Sequence, residues 1–286
     1  MFQIMVGLGC GTMISKKSVS IFVAAYLFIA FVLYSTGIVP EGSRIFWQNI
    51  IFNFSTAFAV VAGIYSLRKY GVQSTHGRTL LLLTHGIAFF LIGGINWLIL
   101  ESFLKIDAFP SIGDVLFLIG ILLMILGVMN ELAIGRIKWT LKRLAISLAA
   151  ILILAGATFD LLIFSAYGPE VTAAENAIVI SYGLSDMVLL IILILLVNLF
   201  LEFKGGKLAT SWALFAIGVF FYWLSDVLYA IYHESYEAQA FFYRQLDYFW
   251  IIGYLLMGYA LFMQGEIVAK LKEHIRQKRA KEKSGR

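Results

Sequence analysis

Proline is scarce in this chain, with three in 286 residues. Proline breaks the hydrogen-bond ladder of a helix interior, so its near-absence leaves long unbroken helices open. Charge is scarce as well: 14% of residues are Asp, Glu, Lys or Arg, against about 25% in soluble domains. No polar stretch is long enough to form a second, soluble domain. A single cysteine, Cys10, excludes a disulfide within the chain. The run from Val6 to Cys10 has the look of a lipoprotein signal but lacks its charged n-region and a long apolar core. An interfacial N-terminal segment is the expectation, with Met13 an alternative start.

Catalytic signatures are missing too. There is no His-Glu-x-x-His helix and no Gly-x-Ser-x-Gly turn, and Gly7 to Gly11 lacks the strand and helix that a phosphate loop needs. The four histidines, His76, His85, His233 and His274, are scattered along the chain. No enzyme, metal site or cofactor is expected. Residues 79–101, 112–134 and 208–269 contain no lysine, which excludes a retinal Schiff base in those spans.

What is abundant is apolar sequence. Hydrophobic residues make up 61% and mean hydropathy is +0.89. Continuous apolar runs of this kind read as membrane-spanning helices; barrel strands would alternate over about ten residues. Eight spans are expected at 18–39, 45–67, 79–100, 112–134, 144–166, 176–201, 209–232 and 241–264. The fold class is therefore all-α: a polytopic membrane protein of eight helices in four tandem hairpins. The expected organisation is a short segment 1–17, a membrane domain 18–264 and a basic tail 265–286. Nineteen of the 22 basic residues fall at the termini or in even-numbered connections; only Arg44, Lys105 and Arg244 fall in odd ones. This split predicts cytoplasmic termini and a multi-pass protein of the plasma membrane. It also accounts for the net charge of +5 without a nucleic-acid partner.

The chain repeats itself. Asp114, Phe117, Gly120, Leu122, Leu123 and Met124 return 133 residues later as Asp247, Trp250, Gly253, Leu255, Leu256 and Met257. Residues 79–134 and 209–264 thus form two copies of one helical hairpin, pointing the same way. In both the aspartate opens an apolar span. Further carboxylates, Asp160, Asp186 and Asp226, lie inside such spans. Ionisable groups there are costly and mark functional positions by default.

Helical spacing groups these polar residues. Tyr222, Asp226, Tyr229 and His233 share one face, as do Glu175, Tyr182 and Asp186, then Tyr243, Asp247 and Tyr254, and also His85 and Asn96. Arg244 sits near Asp247, and Gln48, Asn49 and Asn53 hold the equivalent place in the first hairpin. The expected ligand site is Asp186 and Asp226 at the centre, with Asp160, Asp114, Asp247, Asn96, Tyr182, Tyr222, Tyr229 and Arg244 around them. Bland roles stay open: helix N-caps for Asp114 and Asp247, interhelical hydrogen bonds for Asp160 and Asp226, interface anchoring for the aromatics.

The stretch around Pro110, Ser111, Asp114 and Gly120 resembles a Pro-Ser-x-x-Asp-x-x-Tyr-Leu-x-Gly-Tyr signature. That signature occurs in the multi-span N-terminal sensor regions of some prokaryotic histidine kinases and diguanylate cyclases. Phe117 and Ile121 replace its two tyrosines; the second copy, with Asp247, Trp250 and Gly253, keeps the last one as Tyr254. The resemblance covers these two motifs and the layout of spans. It implies a sensor module. In that family an output domain follows the last span; here only the tail follows, so signalling is expected to pass through a partner.

The tail carries Ile267, Leu271 and Ile275 as a narrow apolar stripe among Arg276, Lys278 and Arg279. It reads as an anchor on anionic lipid headgroups or as a docking helix for a cytoplasmic or membrane signalling protein. A homo-oligomer is compatible with this reading. The leading expectation is a sensor that binds a small ligand, a cation or a proton. A proton- or cation-coupled transporter and a structural subunit of a membrane complex are the alternatives.

Overall fold

A computed structural model describes residues 15–36, 38–135, 138–164, 172–202, 206–237 and 245–284. Among these residues, eight helices are long and apolar enough to cross a membrane. They are α1 (Lys16–Ser35), α2 (Arg44–Tyr70), α3 (Thr75–Trp97), α4 (Ile112–Ile134), α5 (Leu141–Thr158), α6 (Ala173–Glu202), α7 (Lys207–Glu237) and α8 (Asp247–Ser284). The chain is an all-α, polytopic membrane protein. Large apolar side chains that stay exposed on the bundle, such as Phe28, Leu152 and Ile153, are the surface that lipid covers.

Local chemistry sets the helix starts. Ser15, Ser74 and Thr140 each accept a backbone N–H from the first turn of the helix that follows, satisfying donors a helix start leaves free. Gly71, with φ +83°, closes α2 in a conformation that side chains disfavour. Two helices end in a π-helical turn that sequence spacing does not reveal: α3 at Leu98–Leu104 and α5 at Phe159–Phe164. The last span starts at Asp247, later than expected. It continues to Ser284, so the basic tail is the far end of the same helix.

Six helices close a ring. Each of α2, α3, α4, α6, α7 and α8 packs against the next, and α8 packs back on α2. The ring maps onto itself when α2, α3 and α4 are exchanged with α6, α7 and α8. The outer helices differ: α5 lies against α6, whereas α1 lies mainly along α8. The first hairpin expected from the sequence is thus splayed, because α8 takes the place beside α1.

The repeated motif is a pair of matching helix crossings. A Cβ on Gly86 would lie 2.7 Å from the Gly120 carbonyl oxygen and 2.8 Å from Met124 Cγ. A Cβ on Gly218 would lie 2.8 Å from the Gly253 carbonyl oxygen and 2.8 Å from Met257 Cγ. Small residues let backbones approach this closely. In each repeat, two glycines and a methionine hold the hairpin shut at the same level.

Candidate functional site

Away from the two chain ends, the ring opens around a cavity of about 820 Å³. This is the distal end, where α3 meets α4 and α7 approaches α8; the opposite, terminal end is where α1 starts at Lys16 and α8 stops at Ser284. Six carboxylates line the cavity: Glu101, Asp114, Glu175, Asp186, Asp226 and Asp247. Among the described residues of the wall there is no Lys, Arg or His. Aromatic side chains fill much of the rest, including Trp97, Tyr182, Tyr222, Tyr229, Tyr236, Trp250 and Tyr254.

Asp114 does two things at once. Its Oδ2 accepts the Ser111 backbone N–H at 2.7 Å, while the Ser111 hydroxyl accepts the Gly113 N–H at 3.1 Å. That is a capping box at the start of α4. Its other oxygen, Oδ1, accepts the Tyr182 hydroxyl of α6 at 3.1 Å, tying α4 to α6 at the cavity wall. The N-cap role and a place in the cavity wall therefore coexist in one residue. The repeat partner, Asp247, accepts hydroxyls from Tyr236 at 2.7 Å and Tyr34 at 3.3 Å, which join α7 and α1 to α8.

Asp226 accepts Trp250 Nε1–H at 2.9 Å across the α7–α8 hairpin. Glu101, on the π-helical turn after α3, accepts from Asn49 Nδ2 at 2.8 Å. Glu175 is bound at the start of α6 by the Thr172 backbone N–H and hydroxyl, at 2.8 and 2.7 Å. Asp186 stands apart. It is 2% exposed, interacts electrostatically with Asp226, and its Oδ1 has no hydrogen-bond donor.

The floor is aromatic. The Tyr254 ring meets those of Phe52, Phe90 and Tyr222 at centroid distances of 5.3, 5.9 and 5.9 Å. Beneath this cluster Ile87, Met124, Val219 and Met257 are all buried. The cavity is closed toward the terminal end by packed apolar side chains.

Most of the residues expected at the site converge there: Asp114, Asp186, Asp226, Asp247, Tyr182, Tyr222 and Tyr229 all line the cavity. Asn96 does not. Its Oδ1 accepts the Ser111 hydroxyl at 3.2 Å and the Gly113 N–H at 3.1 Å, so it braces the α4 N-terminus. Asp160 is exposed on the π-helical turn after α5 and lies outside the wall, because α5 sits outside the ring. Arg244 and Tyr243 lie outside the described residues, as do the side chains of His233 and Arg279. His85 bonds to the Leu81 carbonyl of its own helix at 2.8 Å and is exposed. In the tail Leu271 and Ile275 are exposed, as are Arg276 and Lys278, and Ile267 is half-buried.

Glu101, Gln48 and Tyr236 also line the cavity. A carboxylate at the end of an otherwise apolar span was the available signal for Glu101. A second polar cluster lies at the terminal end. His76 bridges Glu131 through Nδ1 at 2.7 Å and Gln264 through Nε2 at 2.9 Å. Thr79 donates to Glu131 at 3.1 Å, and Asn130 donates to Thr79 at 2.8 Å. This cluster ties α3, α4 and α8 together; spacing alone left its members unconnected, because they come from three separate spans.

Among the described residues no three His, Cys, Asp or Glu side chains are grouped to hold a metal ion. Comparison of the chain with models of known protein families, with curated proteins and with solved structures finds no match.

Proposed function

We propose that this chain is a non-enzymatic sensor or receptor of the cytoplasmic membrane, with both termini inside and the acidic cavity open to the outer side. A small ligand entering the cavity alters the packing of the ring, and the change passes along α8 to a signalling partner at the basic tail. The observation that carries this reading is the course of α8. It places Asp247, Trp250 and Tyr254 in the cavity wall and continues as one helix to Ser284. Its 38 residues span about 57 Å, so one rigid element joins the site to the tail.

Three further features support the reading. The distribution of basic residues supports a cytoplasmic position for the terminal end. The closed floor makes the site one-sided. The exposed Leu271 and Ile275, set among Arg276 and Lys278, offer a partner an apolar strip with a basic rim, and anionic headgroups compete for the same surface. The resemblance of the Ser111 and Asp114 motif to prokaryotic sensor regions points the same way.

The test is a metabolite screen by thermal shift on the purified full chain, since a ligand that binds the folded state raises its melting temperature. Hits are then added to proteoliposomes carrying a Leu271→Cys, Cys10→Ser variant labelled with an environment-sensitive dye. The dye is expected to respond without uptake of the hit. Accumulation of the hit inside the vesicles would instead establish the second reading, a proton- or cation-coupled transporter. That reading has one observation in its favour: the His76, Glu131 and Gln264 cluster lies on α3, α4 and α8, helices that also line the cavity. It requires the aromatic floor to open.

A further inference from the structure

Among its described residues the cavity wall carries carboxylates and no basic side chain. Asp186 and Asp226 lie deep in this wall, and a buried carboxylate is costly until something pairs with it, so this pair favours a cationic ligand. A bare metal ion does not fit the described residues, which present no group of three ligating side chains. The volume, about 820 Å³, falls instead in the range of about 300–1,000 Å³ that suits small organic ligands. The aromatic side chains Trp97, Tyr222, Tyr229 and Trp250 line the wall, and an aromatic ring attracts a positive group held over its face within about 6 Å.

Asp186 narrows the class further. The other five carboxylates of the wall each accept at least one protein hydrogen bond. Asp186 Oδ1 accepts none, although the residue is 2% exposed. A buried acceptor of this kind is costly until a donor reaches it. A quaternary ammonium brings charge but no N–H; a protonated amine brings both. Depth fits as well: Glu175 is three turns up the same helix, about 16 Å nearer the mouth.

Resting on the reading of this cavity as a ligand site, we infer that its ligand is a protonated organic amine. The ammonium donates to Asp186 Oδ1 and shares its charge with Asp226. Its carbon skeleton lies against the ring faces of Tyr222, Tyr254 and Trp250.

Four probes with one skeleton test the class: 2-phenylethylamine, its N,N,N-trimethyl analogue, neutral 2-phenylethanol and anionic phenylacetate. They are run beside aliphatic amines from ethanolamine to spermidine, on the detergent-purified full chain at millimolar concentration, by thermal shift and calorimetry. Amines are expected to bind, with the trimethyl analogue weaker by about tenfold or more and the alcohol and acid silent. Asp186→Asn is expected to weaken amine binding by about tenfold or more. Asp226→Asn, which leaves the Asp186 acceptor in place, gives a smaller loss. Asp160→Asn, off the wall, gives none.

Equal or tighter binding of the trimethyl analogue, or full amine affinity in a folded Asp186→Asn protein, overturns the inference. So does silence of every amine. Binding of the alcohol or the acid alone, lost in Tyr222→Ala, overturns the amine class but keeps the ligand site. Silence of all probes and of the wider metabolite screen removes both.

Discussion

The rings of Phe90 and Tyr222 stack with centroids 5.4 Å apart and planes at 28°, and they are the same position of the two repeats. Each follows its crossing glycine, Gly86 or Gly218, by one helical turn; the Phe90 ring packs on Gly120, and the Tyr222 backbone packs on Gly253. The pseudo-symmetry of the ring thus passes through the cavity floor. The symmetry stops above it: Gly94 stands at the level in α3 where Asp226 stands in α7. There Asn53 closes the wall, donating to the Gly94 carbonyl at 3.1 Å. At this level the second repeat supplies the deep carboxylate Asp226, and the first supplies packing.

The glycine crossings set the first prediction. Gly218→Ala drives a Cβ toward the Gly253 backbone, which cannot swing aside as a side chain can. A loss of about 1–3 kcal/mol is expected, read as a lower melting temperature in detergent. Gly156→Ala, where nothing lies within 4 Å, is expected to leave stability unchanged or slightly raised.

Trp250→Phe removes the donor that holds Asp226 Oδ1 and keeps most of the ring volume. Leaving a buried carboxylate oxygen unbonded costs about 1–3 kcal/mol. Denaturation of the variant beside Trp139→Phe, an exposed site, checks this; equal stability of the two would show that Asp226 finds another donor.

Asp186→Leu is expected to act in the opposite direction. It deletes a buried acceptor without a partner, and a gain of about 1–3 kcal/mol follows. The same protein should lose all response to ligands in the thermal-shift screen. A less stable protein would mean that the carboxylate is held by the fold and is not reserved for a ligand.

At the terminal end His76 and Glu131 act as a unit with Gln264. A double-mutant cycle on His76→Ala and Glu131→Ala is expected to give a coupling of about 0.5–3 kcal/mol. Additive losses would show that the two side chains are independent.

Orientation is checked by labelling. A membrane-impermeant maleimide added to intact cells is expected to leave Cys10 untouched and to modify a Lys105→Cys, Cys10→Ser variant. The reverse pattern would place the cavity on the cytoplasmic side.

Composition and periodicity alone determined that this chain is a set of eight membrane helices, because an apolar run long enough to cross a bilayer has to satisfy its backbone within itself. They also marked Asp114, Asp186, Asp226 and Asp247, since a charge in such a run is conspicuous whatever its surroundings. The repeat was legible for the same reason: Gly120 and Gly253 recur with their neighbours in order. Side-chain neighbours across helices were not legible. Periodicity gives each helix a polar face but not the helix it meets, so it placed Asp160 beside Asp186, whereas α5 falls outside the ring and α6 inside it. Asn96 shared the motif's level, yet turned to brace Ser111 and Gly113. The link from Asp247 to the tail likewise depended on tertiary structure. Nothing local separates a span from a tail, and only the packing of α8 against α1, α2 and α7 makes one helix serve as both cavity wall and basic tail.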